Sequence, residues 1–186
     1  MFARRARAKR WINWLRHRSF SGSIGLTRLP GIWLNSLASD LATIRASGAT
    51  SLVSLTEQRE LRWAGPGDFG AEVARARLVW YHLPIRDFGV PDIGFEHAWH
   101  VAGPALRRKL ARGERLVIHC YAGLGRTGLI AARLLIEFGE PPQRAIELVR
   151  AARAGAIQTP MQEAFVFGLA RPPASADRPV SAALPG

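Results

Sequence analysis

An α/β architecture is expected of this chain: a single domain with a central, mainly parallel, twisted sheet of about five strands flanked by helices. Three observations lead to it. Short apolar runs (TSLVSL at 50–55, LVWYHL at 78–83, LVI at 116–118) alternate with stretches of helical periodicity. Gly and Pro punctuate the joins, as at Pro30-Gly31, Gly48 and Gly65-Pro66-Gly67. With 186 residues, 48% of them hydrophobic, the chain can bury one real core.

The elements follow in order. Residues 1–21 read as a basic arm. Arg4, Arg5, Arg7, Lys9, Arg10, Arg16 and Arg18 carry seven of the twelve net positive charges, and no acid accompanies them. Trp11, Trp14 and Phe20 are interleaved. Residues 1–20 could meet an anionic membrane surface or an acidic partner. A solubilising tail whose aromatics fold back onto the domain is the plainer alternative, and the favoured one. The rest of the chain is only mildly basic, so nucleic acid is not expected as a partner. No run of about 18 apolar residues suggests a transmembrane segment.

Residues 23–34, SIGLTRLPGIWL, read as a strand, a Pro30-Gly31 turn and a second strand. Asn35 or Ser36 caps a helix through Ser47, with Leu37, Leu41 and Ile44 on one face and Gly48 as its stop. Residues 50–55 form a buried strand. Thr56 caps a short helix over 57–63, and residues 69–77 form another with Val73 inward. The strand at 78–83 leads into a loop at 84–92, PIRDFGVPD. A long helix at 92–112 bends at Gly103-Pro104. Asp92 precedes Phe95, Trp99, Leu106 and Leu110 and makes a natural N-cap. His97 and His100 in that helix lack the further ligands a metal site would need. Pro141-Pro142 starts a helix to about Arg153 with Ile146 and Val149 inward. Residues 171–186, rich in Pro, Ala and Ser, read as a disordered tail.

The stretch that decides function is 115–128, RLVIHCYAGLGRTG. A buried strand ends in His119 and Cys120, a glycine-rich turn follows, and a helix begins near Arg126. Inward backbone amides of such a turn make an anion-binding nest, strengthened by the helix N-terminus. Arg126 supplies a planar fork for a tetrahedral oxyanion. Cys120 sits at the base of this cup, where positive potential favours the thiolate, a nucleophile aimed at phosphorus. An ATP-binding glycine loop fits poorly, because no Lys-Ser/Thr pair closes it.

HCYAGLGRTG resembles the signature loop of the cysteine-dependent protein phosphatases, of the tyrosine and dual-specificity kind. The pattern is His-Cys, five residues, Arg, Ser or Thr, usually Gly, and every fixed position is met. PIRDFGVPD resembles the general-acid loop of the smaller dual-specificity enzymes, with its first acid at Asp87. GAIQTPMQEAF resembles the segment carrying a water-positioning glutamine in the kinase-associated and cell-cycle phosphatase branch, and places Gln158 there.

The resemblance covers about residues 24–170. It implies a catalytic domain over 22–170 with a protein tyrosine phosphatase-like fold. It implies a phosphate-binding loop of Cys120, Tyr121, Ala122, Gly123, Leu124, Gly125 and Arg126. Cys120 is then the nucleophile, and Asp87 the acid and later the base, with Asp92 as the alternative. Gln158 positions water, and Thr127 donates to the sulfur. His119 and Gln162 lie behind these groups. No cofactor or metal is needed, because amides and Arg126 neutralise the phosphoryl charge. One cysteine excludes an internal disulfide, and a thiolate nucleophile suits a reducing, cytoplasmic location.

The implied substrate is a phosphoprotein. A neutral, apolar loop interior at Tyr121, Ala122 and Leu124 favours phosphotyrosine or mixed specificity. A phosphoinositide or other small phosphomonoester is the alternative. From different classes come a non-catalytic phosphopeptide-binding module and a sulfurtransferase.

Overall fold

The computed structural model describes residues 11–33, 35–65 and 67–169. Its sheet contains β1 (Asn13–Leu15), β2 (Ser23–Arg28), β3 (Ala49–Ser54), β4 (Val79–His82) and β5 (Arg115–Cys120). The strand order is β1-β2-β5-β3-β4. β1 runs antiparallel to β2, and the other three pairings are parallel. Seven helices are described: α1 (Leu37–Ala46), α2 (Gln58–Leu61), α3 (Phe69–Arg75), α4 (Ile93–Ala111), α5 (Gly125–Glu137), α6 (Pro142–Ala152) and α7 (Pro160–Gly168). A 3-10 turn, Arg62–Ala64, continues α2.

The alternating strand residues split the core into two layers. Ile24, Leu26, Val53, Leu116 and Ile118 pack with α4, α5, α6 and α7 through Leu106, Leu129, Leu134, Ile146 and Val166. Leu52 and Val117 pack on the other face with Leu41, Ile44 and Val73 of α1 and α3. β5 is the central strand, buried from Leu116 to Cys120. That explains its unbroken apolar run and puts its C-terminal end at the middle of the sheet's edge. α5 is buried from Gly125 to Leu135, between β5 and the pair α6 and α7. A helix that is apolar nearly all round has no solvent face to offer.

Several expectations needed correction. The boundary of the arm at residue 21 is one: Trp11, Trp14 and Phe20 fold back as favoured, and from Trp11 onward the chain belongs to the domain. Asn13–Leu15 pair with β2, and Ile12, Leu15 and Phe20 are buried. Thr27 Oγ1 donates to the Trp11 carbonyl, and Arg153 Nη1 donates to Asn13 Oδ1 at 2.7 Å. Burial of these apolar groups outweighs the solvation of Arg16 and Arg18. Residues 1–10 and the tail at 171–186 lie outside the described residues.

No second strand follows the Pro30-Gly31 turn at Ile32 and Trp33. The buried Asp40 carboxylate accepts from the Gly31 amide and the Asn35 amide, both at 2.9 Å, and so pins this segment across the start of α1. Ser36 is the cap of α1, through Ser39 N. The cap of α2 is Glu57, not Thr56. Glu57 and Glu60 form a reciprocal capping box, which satisfies both orphan donors. α3 stops at Arg75, and Arg77 then adopts φ +56°. α4 runs unbroken through Pro104, with Asp92 as its N-cap accepting from Phe95 N at 2.8 Å.

Candidate active site

The loop after β5 is shaped by where its carbonyls go. Tyr121 O accepts from Leu29 N, Ala122 O from Arg153 Nη2 and Leu124 O from Gly128 N. In a planar trans peptide each following N–H points the opposite way. The amides of Ala122, Gly123 and Gly125 therefore face the concave side. The Gly123 amide reaches Cys120 Sγ at 3.2 Å, and the Gly125 amide donates to Gln158 Oε1 at 3.0 Å. Gly123 has φ +74°, and a Cβ there would lie 2.2 Å from Thr27 O, so only glycine fits. A Cβ on Gly128 would meet Ala156 and Ile157 at 2.8–2.9 Å, so this glycine lets α5 approach the 156–158 segment.

Cys120 is buried at the base of the cup. Arg126, in the first turn of α5, is only 1% exposed. Its end-on pair of donors is taken by a carboxylate. Nη1 and Nη2 bind the two oxygens of Glu60 at 2.7 and 2.8 Å. Nη1 also donates to Ile85 O at 3.1 Å. The reason is electrostatic: a guanidinium this deep needs a matched carboxylate. Two parallel donors remain on its side edge. Nε–H has no partner, and Nη2 meets Asp87 Oδ1 at 2.8 Å. That edge is itself a fork of the right shape for a tetrahedral oxyanion.

Burial would raise the pKa of Glu60, but the Arg126 hydrogen bond, with the Glu57 amide, holds it below the usual carboxylate range. For Arg126 burial pulls down, while the Glu60 bond and the negative charges at Cys120, Glu60 and Asp87 push up. The net direction is upward, so it stays a cation.

Asp87 is half exposed and also accepts from Phe88 N at 3.1 Å. Phe88 has φ +56°, an unusual conformation for a bulky residue, which marks this loop as strained beside the site. Ile157, just before Gln158, has φ +60°, a still less usual state for a β-branched side chain. Asp92 takes no part in this geometry, because its carboxylate is occupied by the cap of α4.

Gln162, fully buried on α7, joins the two loops. Its Oε1 accepts from Gln158 N at 2.9 Å, and its Nε2 donates to Gly89 O at 3.1 Å. His119, also fully buried, links β5 to β3. Ser54 Oγ accepts from Trp80 Nε1 at 2.8 Å and lies 2.6 Å from His119 Nε2, while the Cys120 carbonyl beside Nδ1 can only accept. That assigns the ring proton to Nδ1, facing Cys120 O at 3.3 Å. Burial lowers the pKa of His119 from 6.5 to about 3, so the ring is neutral.

With this geometry in place, similarity to known proteins is decisive. Residues 29–140 match the family described as "Polymorphic toxin system, DSP-PTPase phosphatase". The chain belongs to the dual-specificity family of cysteine-dependent phosphatases. It is 33% identical over 143 residues to cyclin-dependent kinase inhibitor 3 of Rattus norvegicus, covering 73% of this chain and 66% of the rat protein. The match to the Mus musculus protein of the same name spans only 38% of that protein. A probable protein tyrosine phosphatase type IVA B of Dictyostelium discoideum is 54% identical over 81 residues, 43% of this chain and 50% of its own length. The chain thus spans less than the full length of each of these curated relatives. Among solved structures, kinase associated phosphatase with its catalytic-site cysteine replaced by serine superposes with a TM-score of 0.75. It is 29% identical, over 83% of this chain and 90% of that one.

In this phosphatase domain Cys120, Arg126, Asp87, Gln158, Gln162 and His119 come together from segments distant in sequence. Thr127 is the exception. Its hydroxyl is buried without a hydrogen-bond partner, and the sulfur's donor is the Gly123 amide instead. The expected donation from Thr127 to Cys120 is not made. Glu60 was missed from the sequence, although the E-x-x-E spacing of the capping box at Glu57 and Glu60 was there to be read. Ser54 and Trp80, behind His119, carried no sequence signal beyond strand residues.

A second basic pair borders the loop. Arg28 ends β2 opposite Cys120 and lies over the rings of Trp11 and Trp33, at 5.1 and 5.3 Å. Arg153 holds Ala122 O. Burial, with the like charge of Arg28, lowers the pKa of Arg153, while charge at Cys120 acts the other way. Among the described residues no group of three or more His, Cys, Asp or Glu could hold a metal ion, and no helix is long and apolar enough to cross a membrane.

Proposed function

We propose that this protein hydrolyses phosphoprotein monoesters, phosphotyrosine first, through a cysteinyl-phosphate intermediate. The observation that carries this is the cup itself: a cysteine sulfur under inward amides, beside the side edge of a buried arginine whose Nε–H has no partner and whose Nη2 meets Asp87. The phosphoryl group lies in the cup, its equatorial oxygens on the loop amides and on Nε and Nη2 of Arg126. Cys120, as the thiolate, attacks phosphorus in line. Asp87 releases Arg126 to the incoming dianion, takes up a proton from solvent as it leaves that ion pair, and gives this proton to the leaving oxygen. In the second half Asp87 takes a proton from water that Gln158 positions, and the sulfur leaves as phosphate forms. Gln162 keeps the Asp87 and Gln158 loops in one arrangement. His119, neutral, orients the end of β5 and takes no proton.

The cysteine named as catalytic in kinase associated phosphatase supports the same role for Cys120. A cytoplasmic location, and an acidic partner or anionic membrane surface for the basic residues within 1–20, belong to this proposal. One observation favours a second substrate class. Arg28 and Arg153 beside the cup suit a polyanionic phosphomonoester such as a phosphoinositide. The test is hydrolysis of a phosphotyrosine peptide, a phosphothreonine peptide and a phosphoinositide by wild type and Cys120→Ser. Phosphate release from the tyrosine peptide, lost in the variant, is expected. Stoichiometric binding with no release would mean a binding module. Faster release from the lipid would favour the second class.

A further inference from the structure

Beside the cup is a cavity of about 340 Å³ lined by Glu57, Arg59, Glu60, Trp63, Asp87 and Tyr121. Two of these, Glu60 and Asp87, hold Arg126, so the cavity opens onto the same site. Its apolar wall is a pair of rings. Trp63 and Tyr121 meet edge to face with centroids 5.3 Å apart. Both are unusually open for their size, 60% and 41% exposed. Trp63 belongs to neither hydrophobic cluster, whereas Trp11, Trp14, Trp80 and Trp99 do. Core packing therefore does not explain it. An exposed aromatic pair in a concave site is a place where a further ring gains contact area and favourable edge or face geometry.

The chemistry says what enters. The leaving oxygen must come within hydrogen-bond reach of Asp87, so the group behind that oxygen lies in this cavity. In phosphotyrosine that group is a flat ring, with the peptide backbone beyond it. In phosphoserine or phosphothreonine a single carbon separates the ester oxygen from Cα, which would draw the backbone down among the rings. We propose that Trp63, with Tyr121, forms the wall that receives the tyrosyl ring, and that Trp63 sets a preference for aryl over alkyl phosphates. This deepens the phosphatase reading above and rests on it.

Trp63 is well placed to be rigid. It sits in the 3-10 turn after α2, between buried Leu61 and Ala64, shortly after the Glu60 that anchors Arg126. Glu57 and Arg59 pair with each other at the lip, at 2.9 Å, which leaves the rings as the cavity's apolar contact.

The experiment compares kcat/KM of the full chain on a phosphotyrosine peptide and on the same peptide with phosphothreonine, for wild type, Trp63→Ala and Trp63→Phe. Orthovanadate inhibition is measured alongside as a reading of the cup. Trp63→Ala should lower the tyrosine-to-threonine ratio about tenfold, the order of one lost ring contact, and Trp63→Phe should restore most of it. The threonine rate and the vanadate inhibition constant should hold. An unchanged ratio in Trp63→Ala overturns the proposal. An equal fall on both substrates with weakened vanadate inhibition also overturns it, since Trp63 would then act by supporting Glu60 and Arg126. If wild type hydrolyses neither peptide, the phosphatase reading and this proposal fall together.

Discussion

The loop of residues 120–126 and the loop of residues 84–92 face each other across the site, and they are held by different means. In the first, the carbonyls of Tyr121, Ala122 and Leu124 are each bound from outside, and Gly123 is wedged against β2. Arg126 is buried and tied by Glu60 and Ile85. In the second, Asp87 is half exposed, leans on Arg126 and on its neighbour Phe88, and the loop is latched through Gly89 to Gln162. The difference fits two jobs. Stabilising a phosphoryl dianion needs donors fixed before the substrate arrives. Moving a proton to and from different partners needs a group that can shift, and strained, open loops supply such groups.

Substitutions can break this contrast, beginning with the strongest. Cys120→Ser should lower kcat by on the order of 10³-fold or more while phosphate still binds, because the cup's donors remain. Equilibrium binding of inorganic phosphate to the variant checks the second half. Glu60→Gln should damage the fixed side in two ways. It strands a buried guanidinium, at a cost of about 3–5 kcal/mol of stability, and lets Arg126 drift from the anion. Denaturant unfolding and phosphatase kinetics on one preparation would show both losses. A variant that keeps wild-type stability would mean the pair is not what fixes Arg126.

On the movable side, Asp87→Ala should slow peptide hydrolysis by about 10²-fold, and slow an activated aryl phosphate much less. Asp92→Ala should instead cost about 1 kcal/mol of stability through the cap of α4, with kinetics little changed. If the two swap behaviour, the acid has been misassigned. The remaining effect is a slope of stability with pH, not a change in catalysis. His119 titrates near 6.5 when unfolded and about 3 when folded, so between these values the unfolded chain holds the extra proton. Its contribution to stability is complete above pH 6.5 and falls as the pH drops toward 3, by about 1.4 kcal/mol per unit. Thermal melts from pH 7 to pH 4 should follow that slope, and His119→Asn should flatten it.

The same contrast governs what could be read from the sequence. The fixed loop is local: Cys120, the glycines and Arg126 lie within one short stretch whose spacing alone defines a cup. The placement of Asp87 and Gln158 beside this loop was legible because Asp92 had a capping role that set it apart and because the 155–165 segment resembles a known pattern. Glu60 was not, because its role depends on the β3 to α2 connection coming beside the α5 N-terminus, a contact between residues 66 positions apart. Which edge of Arg126 is taken by a carboxylate was hidden for the same reason. For residues 11–20 the folding back of Trp11, Trp14 and Phe20 was legible, but the strand at Asn13–Leu15 was not, because charge dominated the reading there.

The most direct test of the account is acid quench of wild type during turnover of a phosphotyrosine peptide, with mass spectrometry of the protein's own fragments. The account predicts one phosphoryl group on the fragment that contains Cys120, more of it in Gln158→Ala and none in Cys120→Ser. A phosphoryl group on another residue, or hydrolysis that persists in Cys120→Ser, would contradict it.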